Sequence, residues 1–264
     1  MTQPERSLRR GDSTLDQRLS RRVFLDRALR TGALGAAALW TPGVLAQELT
    51  ETPSSDALEG PFYPDEMPLD TDNDLLIVND SITPAVGEVT HLHGTVTTGA
   101  GTPMRNAFVE IWQCDENQNY RHADGVREDT PPDANFQGYG RFLTNAKGEY
   151  YFRTIKPVPY VVGDIFRTPH IHFAVSRRGE RIFTSQMLIN GHPDNARDRL
   201  TARIQDPVAK ETILVDFRPL PGSRIGELTA NFDIVLGQTL EERDDGSLGW
   251  GLGRPVTTTE EESG

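Results

Sequence analysis

His170 and His172 stand one residue apart in FRTPHIHF (166–173), with Arg167 and Pro169 just ahead. On a strand, residues two apart share a face. The two imidazoles would sit side by side, with Ile171 turned away. Such a pair can grip one metal ion, and it can equally be a polar patch on the open face of a sheet. The only cysteine is Cys114, so neither an internal disulfide nor a cysteine-based zinc cage is available. A metal would have to rest on His, Tyr, Asp or Glu. Two tyrosines lie within reach in sequence. Tyr120 falls in the polar loop NQNYRHADG and Tyr160 in KPVPYVVGD. Taken singly, Tyr120 reads as a surface-loop residue and Tyr160 as a packing residue. Gln186 lies downstream, in RIFTSQMLINGHPD. A second His-x-His pair, His91 and His93, reads as polar residues on a sheet face. His122 and His192 read as loop residues, and Glu110 and Trp112 as structural members of one strand.

The elements that must position these residues read as strands. Gly 24 and Pro 18 are scattered through the 264 residues, which suits a loop-rich β protein. EVTHLHGTVTT alternates with breaks and ends in the turn GAGTP. NAFVEIWQCD is β-branched and aromatic. GRFLTNAKGEYYFRTI carries a hairpin signal around Asn145–Gly148, and HIHFAVSRRGERIFTSQML repeats the form around Arg178-Gly179. ETILVDFRPL and LTANFDIVLG close the series. Six to eight strands with closely spaced turns predict an all-β chain, an antiparallel sandwich or barrel. PDNARDRLTARI (193–204) predicts one short helix. Residues 47–87 read as an extended acidic arm with one apolar patch, 88–238 as the β domain, and 239–264 as a disordered polar tail.

Residues 1–46 read as an export leader. LSRRVFLD holds the pair Arg21 and Arg22, and the run TGALGAAALWTPGVLA is too short and too rich in Gly and Ala for a membrane span. Small residues precede Gln47, as at a cleavage site. This resembles a twin-arginine signal, a route that carries proteins folded and cofactor-loaded to the periplasm or the exterior. Residues 1–46 hold 8 Lys+Arg and 4 Asp+Glu, so the remainder has 19 basic and 35 acidic residues. That balance argues against nucleic acid and against anionic membrane surfaces as partners.

VEIWQ, Tyr120, DANFQGYGR, TIKPVPY, RTPHIHF and SQM follow one another in the order and at the spacing of a known signature. Over roughly residues 57–220 the chain resembles the intradiol ring-cleavage dioxygenases, the protocatechuate 3,4- and catechol 1,2-dioxygenase family. The resemblance implies an Ig-like or transthyretin-like antiparallel β-sandwich with long active-site loops. It implies a non-haem Fe(III) held by Tyr120, Tyr160, His170 and His172. It implies a catechol-type substrate opened by O2, between its two hydroxyl-bearing carbons, to a cis,cis-muconate-type diacid. Tyr160 would act as base for a substrate proton. Arg167 would stabilise charge developing on the ring, and Gln186 would hydrogen-bond nearby.

The chain departs from the family pattern at two places beside the pocket. Val161-Val162 follows the second tyrosine where Pro-Trp is common, and Gln118-Asn119 precedes the first where Gly-Arg is common. Both put the usual substrates in doubt. Two rival readings are a non-catalytic sandwich that binds a ligand, and a zinc hydrolase using His170, His172 and a carboxylate. The first makes the Tyr/His set decorative. The second leaves both tyrosines unexplained and lacks an HExxH motif.

Overall fold

The computed structural model describes residues 49–79, 82–122 and 130–237, and the backbone of 239–242 and 248–251. The expected leader, 1–46, lies outside the described residues. Twelve strands make the main body. They are β1 (Val89–Thr98), β2 (Phe108–Trp112), β3 (Tyr139–Leu143), β4 (Glu149–Ile155), β5 (Tyr160–Val162), β6 (Ile165–Arg167), β7 (His170–Arg177), β8 (Glu180–Ile189), β9 (Leu214–Val215), β10 (Phe217–Pro219), β11 (Leu228–Asn231) and β12 (Ile234–Leu236). The described chain is thus nearly all β, as the sequence predicts.

In the first sheet β1 pairs with β4 antiparallel. β11 and β12 run parallel to β1 in one register, from Thr90↔Leu228 to Thr98↔Leu236. β10 pairs with β11. The second sheet runs β3-β2-β7-β8-β9, with β9 parallel to β8. The expectation of purely antiparallel sheets is therefore corrected. Parallel partners return to β1 and β8 over long connections instead of tight turns.

The two sheets share one apolar core. Leu92, Val96, Phe152 and Ile234 from the first meet Ile111, Ile171, Phe173 and Val175 from the second, all fully buried. Phe173 touches Tyr150 and Phe232 across the gap, at ring-centroid distances of 6.1 and 4.7 Å. Burying each such side chain stabilises the fold by about 1.5–3 kcal/mol.

At Gly94 the backbone between β11 and β12 passes close over β1. A Cβ there would lie 2.0 Å from the Phe232 carbonyl oxygen, which is backbone and cannot step aside. Gly94→Ala is expected to cost about 3 kcal/mol or more, as severe overpacking does, read as a lowered urea midpoint.

The hairpin signal in 139–155 is corrected too. β3 belongs to the second sheet and β4 to the first, so the chain crosses between sheets there. The turn itself is as the sequence predicts, with Asn145 Oδ1 accepting from the N–H groups of Lys147 and Glu149 and Gly148 at φ +76°. A local turn signal does not say which sheet each arm joins. The second hairpin, β7–β8, is a true one, with Arg178 and Gly179 both at positive φ.

Residues 193–204 are not one helix. They form two 3-10 turns, Pro193–Arg197 and Thr201–Arg203. Asp198 breaks the run: it is extended at ψ 115°, and its Oδ1 accepts the N–H groups of Leu200 and Thr201. A short polar side chain here outbids the helix for backbone donors. The α-helix forms later, as α1 (Pro207–Glu211), with Asp206 as N-cap and proline in its first turn. The tail is not wholly irregular either, for β13 (Thr239–Glu242) pairs with β14 (Leu248–Gly251) as a separate ribbon.

The arm folds back over the chain's own sheets. Its backbone bonds to both, through Thr52 N–H to Val235 O and Ser55 N–H to Thr184 O. Leu75 and Leu76 are buried in the core.

Candidate metal centre

β7 lies between β2 and β8, and six of its eight residues are buried. Ile171, Phe173 and Val175 face the core. His170 and His172 alternate with them, as the sequence predicts, and point to the opposite face. That face is no open polar patch, because His170 is 1 % and His172 0 % exposed. The arm, the loop carrying Tyr120, and the β5–β6 hairpin cover it.

Four side chains converge there. Tyr120 Oη lies 3.2 Å from His172 Nε2, and Tyr160 Oη 3.4 Å from His170 Nε2. The two Nε2 atoms are 3.1 Å apart. His170 Nδ1 lies 2.6 Å from the Thr168 carbonyl and His172 Nδ1 3.1 Å from the Leu58 carbonyl. A carbonyl oxygen has no proton to give, so each Nδ1 carries the hydrogen. Each Nε2 then presents a bare lone pair to the same point. Burial, with Arg167 nearby and His170 also acting on His172, holds both imidazoles well below their usual range. They are neutral and free to donate at neutral pH.

Two facing lone pairs and two phenol oxygens make a cradle that a cation completes. Burial raises the Tyr120 phenol well above its ordinary value. Burial also pushes Tyr160 up to about 12, with Arg167 working against it. Neither phenol ionises at neutral pH without a strong positive charge beside it. A hard trivalent ion supplies that charge, so the donor set fits Fe(III). Among the described residues no group of three His, Cys, Asp or Glu side chains is placed to hold a metal. A His/His/carboxylate zinc site therefore lacks its third ligand there.

Supporting residues fix the four donors. Trp112 stacks on His172 at 4.9 Å and 9°, a contact that the reading of Trp112 as merely structural missed. Phe62 of the arm stacks on Tyr120 at 4.4 Å and meets Tyr160 edge-on at 5.9 Å. Gly60 (φ +69°) passes so close that a Cβ would lie 3.3 Å from His172 Cε1.

Arg167 is buried beside the donors. Its Nε–H donates to Asp198 Oδ2 at 2.9 Å and its Nη2–H to Gln186 Oε1 at 2.6 Å. Gln186 in turn donates to the Leu58 carbonyl at 2.6 Å. Leu58 O thus accepts from both Gln186 and His172. Arg167, Gln186, Tyr120, Tyr160, His170 and His172 all meet in one place. Asp198 and Leu58 were missed: the first is one aspartate among many, and a carbonyl acceptor has no residue-type signal.

The other histidines lie apart. His91 meets Tyr151 Oη at 2.6 Å and Glu227 at 3.2 Å, and His93 meets Thr229, all on the solvent side of β1. His122 bonds the Gln137 carbonyl, and His192 caps the turn at Pro193. Glu110 is structural as expected, taking the Tyr139 hydroxyl at 2.5 Å.

The Dioxygenase family model Dioxygenase_C matches residues 58–238. The protocatechuate 3,4-dioxygenase beta chain of Burkholderia cepacia is 35 % identical over 142 residues, 48 % of this chain and 60 % of that one. The hydroxyquinol 1,2-dioxygenase of Corynebacterium glutamicum is 28 % identical over 215 residues, 72 % of this chain and 65 % of that one. The chain thus spans less than two thirds of the length of either relative. Among solved structures, the dioxygenase domain of a dioxygenase–carbohydrate-binding fusion from Streptomyces sp. SirexAA-E is similar, with TM-score 0.51 and 26 % identity. That match covers 71 % of this chain and 98 % of the domain. With its motifs in order and the family model matched across the β domain, the chain belongs to the intradiol ring-cleavage dioxygenase family.

Proposed function

We propose that this chain cleaves a catechol-type aromatic diol with O2, between the two hydroxyl-bearing carbons. The product is a cis,cis-muconate-type diacid that contains both oxygen atoms. The family's cofactor is non-haem Fe(III). Tyr120, Tyr160, His170 and His172 would hold it here. The observation that carries the reading is the pair of bare Nε2 lone pairs, 3.1 Å apart, with both phenol oxygens beside them. When bound, the ferric ion supplies Lewis acidity and a template for the diol.

The chain's own groups do the rest. With the ferric ion bound, Tyr160 would be held as its phenolate, and Tyr160 Oη would take a proton from an incoming diol hydroxyl. Its pKa, pushed up to about 12, keeps that proton on the phenol at neutral pH. Tyr120 stays in place under the stacked ring of Phe62. The buried Arg167 guanidinium, pinned by Asp198 and Gln186, stabilises negative charge that develops on the ring. Gln186 is a positioning residue that ties Arg167 to the Leu58 carbonyl. Phe62, Trp112 and the arm keep water out.

The two packed sheets support reading the frame as an Ig-like or transthyretin-like sandwich. Export by the twin-arginine route to the periplasm or beyond is proposed on Arg21-Arg22 and the apolar run after them. The acidic balance supports a small-molecule substrate in place of nucleic acid or a membrane surface.

The visible spectrum of the purified protein tests the reading. A broad tyrosinate-to-iron band is expected, shifted on anaerobic addition of catechol. Oxygen uptake should follow on admitting air. A protein that stays colourless after iron loading would sink the dioxygenase reading and leave a ligand-binding sandwich.

A further inference from the structure

Tyr160 and Arg167 are the first and last residues of one hairpin and stand directly opposite each other in register. The next cross-strand pair, Val161 and Phe166, points to the other face. The third pair, Val162 and Ile165, returns to the face that carries Tyr160 and Arg167. Both are open to solvent, at 39 % and 51 %. Two residues along a strand is roughly 7 Å. The base and the buried cation are thus followed on the same face, about one aromatic ring's span along the hairpin, by two exposed apolar side chains.

The two arginines placed at this hairpin are both engaged. Arg167 is committed to Asp198 and Gln186. Arg197 is engaged by Asp194 and lies over the Phe166 ring, on the opposite face. Asp164 is exposed in the hairpin turn itself.

We propose that Val162 and Ile165 form an apolar rim at the mouth of the site and select the ring substituent. They favour catechols that carry an uncharged apolar group on the edge away from the diol, and disfavour carboxylated catechols. This rests on the dioxygenase reading above, in which Tyr160 and Arg167 both act on the substrate. An alkyl group there covers exposed valine and isoleucine surface. A carboxylate would be desolvated against them, with Asp164 nearby.

The test compares kcat/KM of the iron-loaded full chain for catechol, 4-methylcatechol and 3,4-dihydroxybenzoate. Wild type is expected to prefer 4-methylcatechol to 3,4-dihydroxybenzoate by about tenfold or more, the scale on which pockets discriminate substituents. Ile165→Lys and Val162→Lys should each collapse that ratio. Val162→Ser, uncharged, should lower it partway, and answers for any lysine variant that fails to fold. A wild-type ratio near one, or a ratio unmoved in soluble variants, overturns the proposal. A change only in the oligomeric state of the variants would make the rim a protein contact and also overturn it. Failure to cleave catechol itself would overturn the dioxygenase reading as well, which separates the two failures.

Discussion

Arg167→Gln is expected to lower kcat for catechol cleavage by about 10²–10³-fold, the range seen when one preorganised charge-stabilising group is removed from a dry site. The arginine is well placed for this, being buried and fixed through two different atoms, Nε to Asp198 and Nη2 to Gln186. It therefore meets developing charge without having to reorganise. Glutamine keeps some volume and loses the cation. Iron content and the visible band should remain, because the Arg167 side chain bonds to Asp198 and Gln186 and to none of the four donor side chains. KM should change less than kcat, since the charge to be stabilised appears only as the reaction proceeds. Arg167→Lys should recover only part of the rate, because a single ammonium cannot serve two partners in the guanidinium's planar fork. A glutamine variant within threefold of wild type would remove Arg167 from the chemistry.

Asp198→Ala is expected to destabilise the fold by about 3–5 kcal/mol, because it strands a buried arginine without its counter-ion. The Asp198 side chain is fully buried. Its carboxylate accepts from Arg167 and from the N–H groups of Thr168, Leu200 and Thr201. Burial by itself would raise this carboxyl. The Arg167 guanidinium and the surrounding N–H donors outweigh that and hold it below the usual carboxylate range. A carboxyl depressed in the folded state contributes stability above its unfolded value, roughly 4. That stability is lost as pH falls through the lower folded value. Asp198→Asn should therefore flatten the loss of stability below about pH 4, measured as urea midpoints across pH. Parallel profiles for the wild type and the asparagine variant would show that the ion pair does not govern acid stability.

Much of the centre was legible in the sequence, for definite reasons. The period of two along a strand places His170 and His172 on one face whatever surrounds them. The motif order named the tyrosines. What covers that face was not legible. Nothing in FRTPHIHF says that the opposite face of β7 is closed by a segment before β1. Leu58 contributes through its carbonyl, which every residue possesses. The sheet assignment of β3 and β4 failed for a related reason, since turn chemistry is local and strand partnership is not. The register of Tyr160 with Arg167 was hidden as well. Both lie in recognisable motifs, yet Val161-Val162 reads in the sequence as a departure from the family and not as one arm of a hairpin.

The Leu58 carbonyl also sets a time order. It accepts from His172, 114 residues away in the chain, and from Gln186, 128 residues away. Contacts of such long separation are slow to form, because the intervening chain must be ordered first. The β7–β8 hairpin, closed by a two-residue turn, can form early and present both imidazoles before anything holds their tautomers. Only docking of the arm fixes His172 with its lone pair inward. Metal capture is then a late folding event, and the appearance of colour during refolding would clock the docking of the arm on β7 and β8.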